Sequence, residues 1–391
     1  MLNRKQCFID TLSGKTPEKI LVDFFGCPLS GATDGVVKKI SDFLGISGRN
    51  DVGRDDLGAP LGELPFGINP QISEKILKYY EIDTRGVGWI FRPEKSLFKQ
   101  IDDITFTDEW GVVRKFTGRY WDIVGSPLKD ATLSELKKFP FPDPSTVKRE
   151  EIELVKKQAK WLKENTDYLI CASHPCFGIL ELGCWMCGFD DFLYRLGCEP
   201  EFVTLFFDRV LEYQKEVSRI YYGAIGEYID YTSSGDDFGT QESSFMSPAM
   251  FDEFIFPYMK ERISYTKKFT KAKFLHHSCG NVSNLIPSLM KAGVEILNPI
   301  QPVSEGMSPA ALKKNYGGKN ITFHGGFDTQ SILPFGTKEE IENKVKELIE
   351  TMGKGVRYIF AAAHCLQDDV PAENIDTMFK AAKKYSCLSN K

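Results

Sequence analysis

The stretch Phe274-Leu-His-His277-Ser-Cys279-Gly-Asn-Val282 opens as an apolar, strand-like run and ends in side chains able to bind a metal or move a proton. The pattern recurs: all five histidines, His174, His276, His277, His324 and His364, stand at the downstream ends of short apolar runs. A barrel of parallel strands gathers its chemistry at the carboxyl ends of those strands, where the βα loops converge. The distribution of histidines therefore points to that architecture.

Working outward, the apolar runs Tyr168 to Ala172, Tyr228 to Thr232, Phe274 to His277, Glu295 to Leu297, Ile321 to His324 and Tyr358 to Ala361 alternate with amphipathic stretches, as βα units do. Helix signals separate them. Ser247-Pro248 caps one helix, and Thr337-Lys-Glu-Glu340 has the form of a capping box ahead of Ile341, Val345, Leu348 and Ile349. With the buried run Lys19 to Phe25 and one further strand hidden in the irregular region, the count reaches the eight of a closed (β/α)8 TIM barrel. An open doubly wound sheet is the rival, weakened because no Gly-x-Gly-x-x-Gly turn follows any strand.

The N-terminal third is less regular. A helix is expected from Arg4 to Leu12, short helices and Gly/Pro-rich loops from about Ser30 to Arg85, and a β-hairpin from Ile104 to Phe116 turning at Trp110-Gly111. Phe139-Pro-Phe-Pro-Asp-Pro144 punctuates the chain. The reading is one barrel domain over 1–391, with 1–144 as an N-terminal elaboration carrying the first strand and 145–391 as regular βα units.

Composition narrows the function classes. A chain of 391 residues with 42% hydrophobic content can bury a large core, and 29 Phe with 15 Tyr suit an aromatic-lined interior. A net charge of −5 and no long Lys/Arg block leave no electrostatic footprint for nucleic acid. No run approaches the roughly 18 apolar residues of a membrane span, and Met1 to Cys7 has no apolar signal core, so a cytoplasmic protein is expected. Ten irregularly spaced cysteines read as reduced thiols, some available as metal ligands.

The strand ends supply the candidates: Ser173, His174 and Cys176; Asp236, Asp237 and Gln241; His276, His277 and Cys279; Asn298 and Gln301; His324, Asp328 and Gln330; His364, Cys365, Gln367 and Asp368. His276 and His277 are neighbours on one strand and must point to opposite sides. His277-Ser-Cys279 can chelate one ion, zinc accepts this mix of nitrogen and sulfur, and a third ligand from the end of the last strand, His364 or Cys365, would complete a catalytic site. Asp236-Asp237 is either an acid/base pair or a loop that caps the next helix. Cys184-Trp-Met-Cys187 falls in a helical stretch, Leu182 to Leu196, and reads as a buried face.

His277-Ser-Cys-Gly-Asn-Val282, Leu297-Asn-Pro-Ile-Gln301, Phe323-His-Gly-Gly-Phe-Asp-Thr-Gln330 and Val370-Pro-Ala-Glu-Asn-Ile375 resemble the uroporphyrinogen decarboxylase superfamily, and more closely its branch of corrinoid-linked methyltransferases. The resemblance implies a βα barrel. True decarboxylases of the family carry an arginine-rich segment after the first strand that clamps porphyrinogen carboxylates, whereas Phe24-Phe-Gly-Cys-Pro-Leu-Ser-Gly-Ala-Thr-Asp34 has no arginine, a serious loss for carboxylate recognition. Methyltransferases of the branch hold zinc through a His-x-Cys pair, matched by His277 and Cys279, and a cysteine after the last strand, where this chain offers His364 and then Cys365.

What the resemblance implies is a zinc-assisted methyl transfer between a small methylated donor or acceptor and the cobalt of a corrinoid (cobalamin) carried by a separate protein. Zinc would act as a Lewis acid. Asp236 and Asp237 are the expected catalytic carboxylates, and His174, Gln241, Gln301, His324, Asp328 and Gln330 the expected substrate contacts. The aromatic content favours an aryl methyl ether as donor, hence O-demethylation. No Asp-x-His-x-x-Gly signature is present, so the corrinoid is expected on the partner, and a homodimer is compatible with the reading. The rivals are a metal-free decarboxylase using Asp236 or Asp237 as its acid, and a barrel that only carries a corrinoid or tetrapyrrole.

Overall fold

The computed structural model describes residues 3–46, 72–88, 91–118 and 120–388. Eight parallel strands form one sheet: β1 Leu21–Val22, β2 Thr84–Val87, β3 Leu169–Ser173, β4 Tyr231–Gly235, β5 Lys273–His277, β6 Ile296–Ile300, β7 Thr322–Phe327 and β8 Arg357–Ala362. Strand β1 lies beside β8, and the sheet then runs back in order to β2. The remaining seam, between β2 and β1, is bridged by the Asp83 N–H donating to the Val22 carbonyl at 3.0 Å and the Val22 N–H donating to the Asp83 carboxylate at 2.9 Å. The result is the (β/α)8 barrel expected from the sequence.

Alternation along each strand sorts side chains into two layers. Leu21, Leu169, Cys171, Tyr231, Leu275, Ile296 and Ile359 pack together inside the barrel with Cys7 and Phe8 of the first helix, Arg4–Ser13. That helix covers the amino-terminal end, where Arg4 and Lys5 pair with Asp83 and Asp230 at the starts of β2 and β4. Val22, Ile170, Ala172, Phe274, Leu297, Phe323, Tyr358 and Phe360 face outward and join the core beneath the helices. One step above the inner apolar layer the same parity places Asp23, Ser173, Ser233, His277, Asn298 and His324, all buried. The barrel is thus greasy below and polar at its mouth.

The hairpin expected at Ile104 to Phe116 is present as Thr105–Thr107 and Val113–Phe116, and it belongs to a four-stranded antiparallel sheet with Lys99–Asp102 and Trp121–Gly125. Trp110 at its turn is buried against Tyr213 of the long helix Pro200–Ile225, with ring centroids 4.6 Å apart. Tyr120 donates to Gln367 beyond β8, which ties this sheet to the barrel mouth. The hidden strand is Thr84–Val87; of the short helices expected from Ser30 to Arg85, Asp34–Leu44 and Glu74–Tyr79 are present, and 47–71 lies outside the described residues.

Two expectations shift. The Tyr228 to Thr232 run begins its strand only at Tyr231, because the preceding helix extends to Ile225 and the Asp230 carboxylate accepts the Ile170 N–H. The helical stretch Leu182 to Leu196 is two helices, Ile179–Cys187 and Phe189–Cys198, broken at Gly188, whose φ of +99° only glycine adopts without strain. Cys184 and Cys187 are buried on the first of them, as a helical face should be. The capping box at Thr337 is complete, opening Lys338–Met352.

Candidate functional site

Strand parity divides the histidine pair at the end of β5. His276 turns outward and stacks on Phe238, ring centroids 5.5 Å apart, and burial pushes its pKa down to about 3. His277 turns inward. Beyond it the chain bends so that Cys279 follows on the same side, its Sγ 3.2 Å from His277 Nε2. Neighbouring strand ends fix the bend: Asp237, past β4, accepts the Cys279 N–H at 2.7 Å, and Gln301, past β6, accepts the Gly280 N–H at 2.6 Å.

His364, past β8, completes a group. One donor atom each from His277, Cys279 and His364 lie within 4.8 Å of one another, and the two imidazoles stand with centroids 5.8 Å apart. His277 is buried, while Cys279 and His364 are half-buried, so the group opens on one side. Burial lowers His364 to about 4, with His277 adding to the effect and Asp237 opposing it; burial also lowers His277. Both rings are therefore neutral at pH 7 and each offers a lone pair. Burial, then the charges of Asp237 and Glu181, raises the Cys279 thiol.

This donor set fits a zinc ion. Two imidazole nitrogens and a sulfur are ligands that zinc prefers, and bonds of about 2.0 to 2.3 Å bring tetrahedral ligand atoms to roughly 3.5 Å from each other, a small contraction of the present group. Three protein donors with one open side match a catalytic rather than a structural site. Cys279 would lose its proton on binding.

Cys365 lies outside this group. Its thiol is fully buried, takes a backbone hydrogen bond from Gly31, and is pushed up to about 12 by burial. Between the two neighbours left open by the sequence, the backbone at the end of β8 aims His364 at His277 and turns Cys365 toward the first strand's loop.

Several expected contacts do other work. Asp236 is buried and accepts the Leu180 and Glu181 N–H groups, fixing the start of the Ile179–Cys187 helix, while burial raises its carboxyl to about 7. His174 is turned outward by the parity of β3, with Nδ1 2.8 Å from the Tyr222 hydroxyl on the Pro200–Ile225 helix. Asp328 accepts three backbone N–H groups, from Gln330, Ser331 and Ile332, so it shapes a turn. His324 is inside the barrel, fully buried between Asn298 and Asp23. Gln301 holds the metal-competent bend rather than open space. Gln241 and Gln330 are exposed at the mouth and joined to each other at 3.0 Å. Of the expected carboxylates only Asp237 faces the group, its Oδ1 3.8 Å from His277 Nε2.

Glu181 was not singled out by the sequence. Burial and the charges of Asp237 and Asp236 raise its carboxyl well above the usual range. One turn further along its helix, Trp185 lines a cleft with Trp121, Ile123, Arg114 and Phe189, between the helix and the antiparallel sheet. The Arg114 guanidinium sits 4.7 Å above the Trp185 ring. Only the spacing Glu181-x-x-x-Trp185 on a helix start could have hinted at this pairing.

Comparison with known proteins gives a consistent assignment. A family model described as uroporphyrinogen decarboxylase (URO-D) matches residues 124–385. Among curated proteins, the chloroplastic uroporphyrinogen decarboxylase of Nicotiana tabacum is 27% identical over 139 residues, 35% of this chain and 33% of that one. Uroporphyrinogen decarboxylase of Trichodesmium erythraeum is 26% identical over 196 residues, 49% and 50% of the two chains. The chain thus spans half or less of the length of these curated relatives. Among solved structures, a methyltransferase from Methanosarcina mazei shares the fold over 98% of this chain and 99% of its own, with a TM-score of 0.64 and 17% identity. Among the described residues no helix is long and apolar enough to cross a membrane. With a family match running from the end of the antiparallel sheet through the last helix, well over half of its length, the chain belongs to the uroporphyrinogen decarboxylase family.

Proposed function

We propose that the protein is a zinc-dependent methyltransferase, moving a methyl group between a small methylated substrate and the cobalt of a corrinoid on a separate protein. The observation that carries the reading is the convergence of His277, Cys279 and His364 at the barrel mouth from the ends of β5 and β8. A bound zinc would supply Lewis acidity toward the oxygen from which the methyl group departs or to which it is delivered.

The chain's own residues prepare that chemistry. His277 Nε2 and the His364 ring offer neutral lone pairs, and Asp237, by accepting the Cys279 N–H, keeps the thiol beside them. Glu181, whose carboxyl is raised by burial and by the charges of Asp237 and Asp236, is the group suited to carry a proton on the Asp237 side of the site and pass it to a departing oxygen. Trp185 and Trp121 line a cleft that begins one helical turn beyond Glu181, and an aromatic lining favours an aryl methyl ether as the donor class. The loop after β1, without arginine, speaks against a polycarboxylate porphyrinogen.

Elemental analysis and methyl-transfer assays test the reading together. One zinc per chain is expected, retained in Cys365→Ser and lost with transfer activity in His277→Ala and His364→Ala. A zinc-free protein whose His277→Ala variant keeps full activity, or one that decarboxylates uroporphyrinogen without metal, would overturn it.

A further inference from the structure

A chain of four buried side chains crosses the barrel interior behind the metal-competent group. His277 Nδ1 lies 2.5 Å from Asn298 Oδ1, Asn298 Nδ2 lies 2.7 Å from His324 Nδ1, and His324 Nε2 lies 2.7 Å from Asp23 Oδ2. All four residues are at most 5% exposed, so no solvent competes for these bonds. His277 ends β5, Asn298 and His324 stand within β6 and β7, and Asp23 follows β1; these strands neighbour one another around the barrel apart from β8, lying between β7 and β1.

The direction of the chain is set at its far end. Asp23 accepts the N–H groups of Gly26 and Cys27 and the hydroxyls of Ser30 and Thr84, in addition to His324. The loop folds so closely over this carboxylate that a Cβ on Gly26 would stand 2.4 Å from its Oδ1. A carboxylate surrounded by five donors acts only as an acceptor. His324 must then donate from Nε2, and a neutral ring leaves Nδ1 as a lone pair. Asn298 must offer that lone pair its NH2, which turns its carbonyl oxygen toward His277. His277 in turn must carry its hydrogen on Nδ1, leaving Nε2 bare beside Cys279.

We propose that Asp23, acting through His324 and Asn298, selects the tautomer of His277 whose Nε2 is free to bind a metal. Asp23, His324 and Asn298 are positioning residues in this scheme, and none of them touches the substrate. Histidine ligands ordinarily donate their other ring N–H directly to one carboxylate or carbonyl; here the carboxylate acts through two intervening side chains. The proposal rests on the reading of His277 as a ligand, but its first test does not.

That test is the tautomeric state of each imidazole in metal-free, full-length protein labelled with 15N-histidine, read from long-range 15N–1H correlations. Five histidines make the spectrum tractable, and His277→Gln identifies the resonance. His277 is expected protonated on Nδ1 and bare at Nε2, and His324 the reverse. His324→Leu frees the Asn298 amide to turn over, so His277 should become a mixture of tautomers and zinc affinity, measured against a chromophoric chelator, should fall about 10- to 100-fold. His324→Gln can still donate to Asp23 and accept from Asn298, and should restore both.

A wild-type His277 protonated on Nε2, as a cationic His324 would impose, overturns the proposal without any variant. So does a folded His324→Leu protein with unchanged tautomer and affinity. Wild-type protein that binds no zinc but shows the expected tautomers would defeat the metal reading and leave the relay standing.

Discussion

His174 and Tyr222 show how a histidine at a strand end can serve the packing rather than the mouth. The ring is buried, stacked on Tyr222 and bonded to its hydroxyl, and burial, with Arg262 nearby, holds its pKa well below the ordinary value. Since the folded pKa is depressed, the folded ring stays neutral while the unfolded one takes up a proton below about pH 6.5. The wild type therefore loses stability from this group as pH falls through that value, by about 1.4 kcal/mol per pH unit. His174→Phe removes that loss and leaves the Tyr222 hydroxyl buried without its partner, a cost of about 1 to 3 kcal/mol. Urea unfolding should show the variant clearly less stable at pH 8 and the gap closing by pH 5.5; a gap independent of pH would refute the assignment. The sequence marked His174 for the mouth because β3, Leu169–Ser173, is buried on both faces. A strand apolar on both sides carries no alternation from which inward and outward positions can be told. At β5 the adjacent pair His276-His277 supplied the parity that a lone histidine could not.

At the scale of elements, several polar residues expected at the site turn out to end or begin helices. Asp236 fixes the helix that carries Glu181 and Trp185, and Asp328 closes the turn ahead of Ile332–Phe335. Short polar side chains past a strand look the same in sequence whether they meet a ligand or the next helix's N–H groups, since both need an acceptor at that place. Caps with a fixed pattern were readable outright: Ser247 accepts the Met250 N–H ahead of Pro248, and the Thr337-x-x-Glu340 capping box specifies two reciprocal bonds, both of which form. Thr337→Ala should cost about 1 kcal/mol and leave the proposed methyl transfer untouched. Asp328→Ala should likewise lower the melting temperature with KM unchanged, since the carboxylate is used up on the backbone of its own turn. A rise in KM out of proportion to the lost stability would return Asp328 to the substrate.

At the scale of the whole molecule, the closed eight-stranded barrel was legible and the way its seam is made was not. β2, Thr84-Arg-Gly-Val87, is too short and polar to stand out, and β1 contributes only Leu21–Val22. Two such fragments make few ladder bonds, so side chains complete the seam. The Asp83 carboxylate is fully buried there and accepts from the Lys19 ammonium at 2.8 Å, the Arg4 guanidinium at 2.9 Å and the Val22 N–H at 2.9 Å. Its own main chain bonds Val22 on one side and Leu169 on the other. Asp83→Ala strands a buried ammonium and a buried N–H together, and removal of one partner from a buried ion pair costs about 3 to 5 kcal/mol. Lys19→Met should cost much less, because Arg4 and Val22 still satisfy Asp83. In Lys19→Met/Asp83→Ala the ammonium is gone, so the double variant should be more stable than Asp83→Ala alone. Urea unfolding followed by circular dichroism measures all three. Additive losses, or an Asp83→Ala cost below about 1 kcal/mol, would mean that the seam is held by the backbone pairing and the outer helices, with the ion pair a passenger.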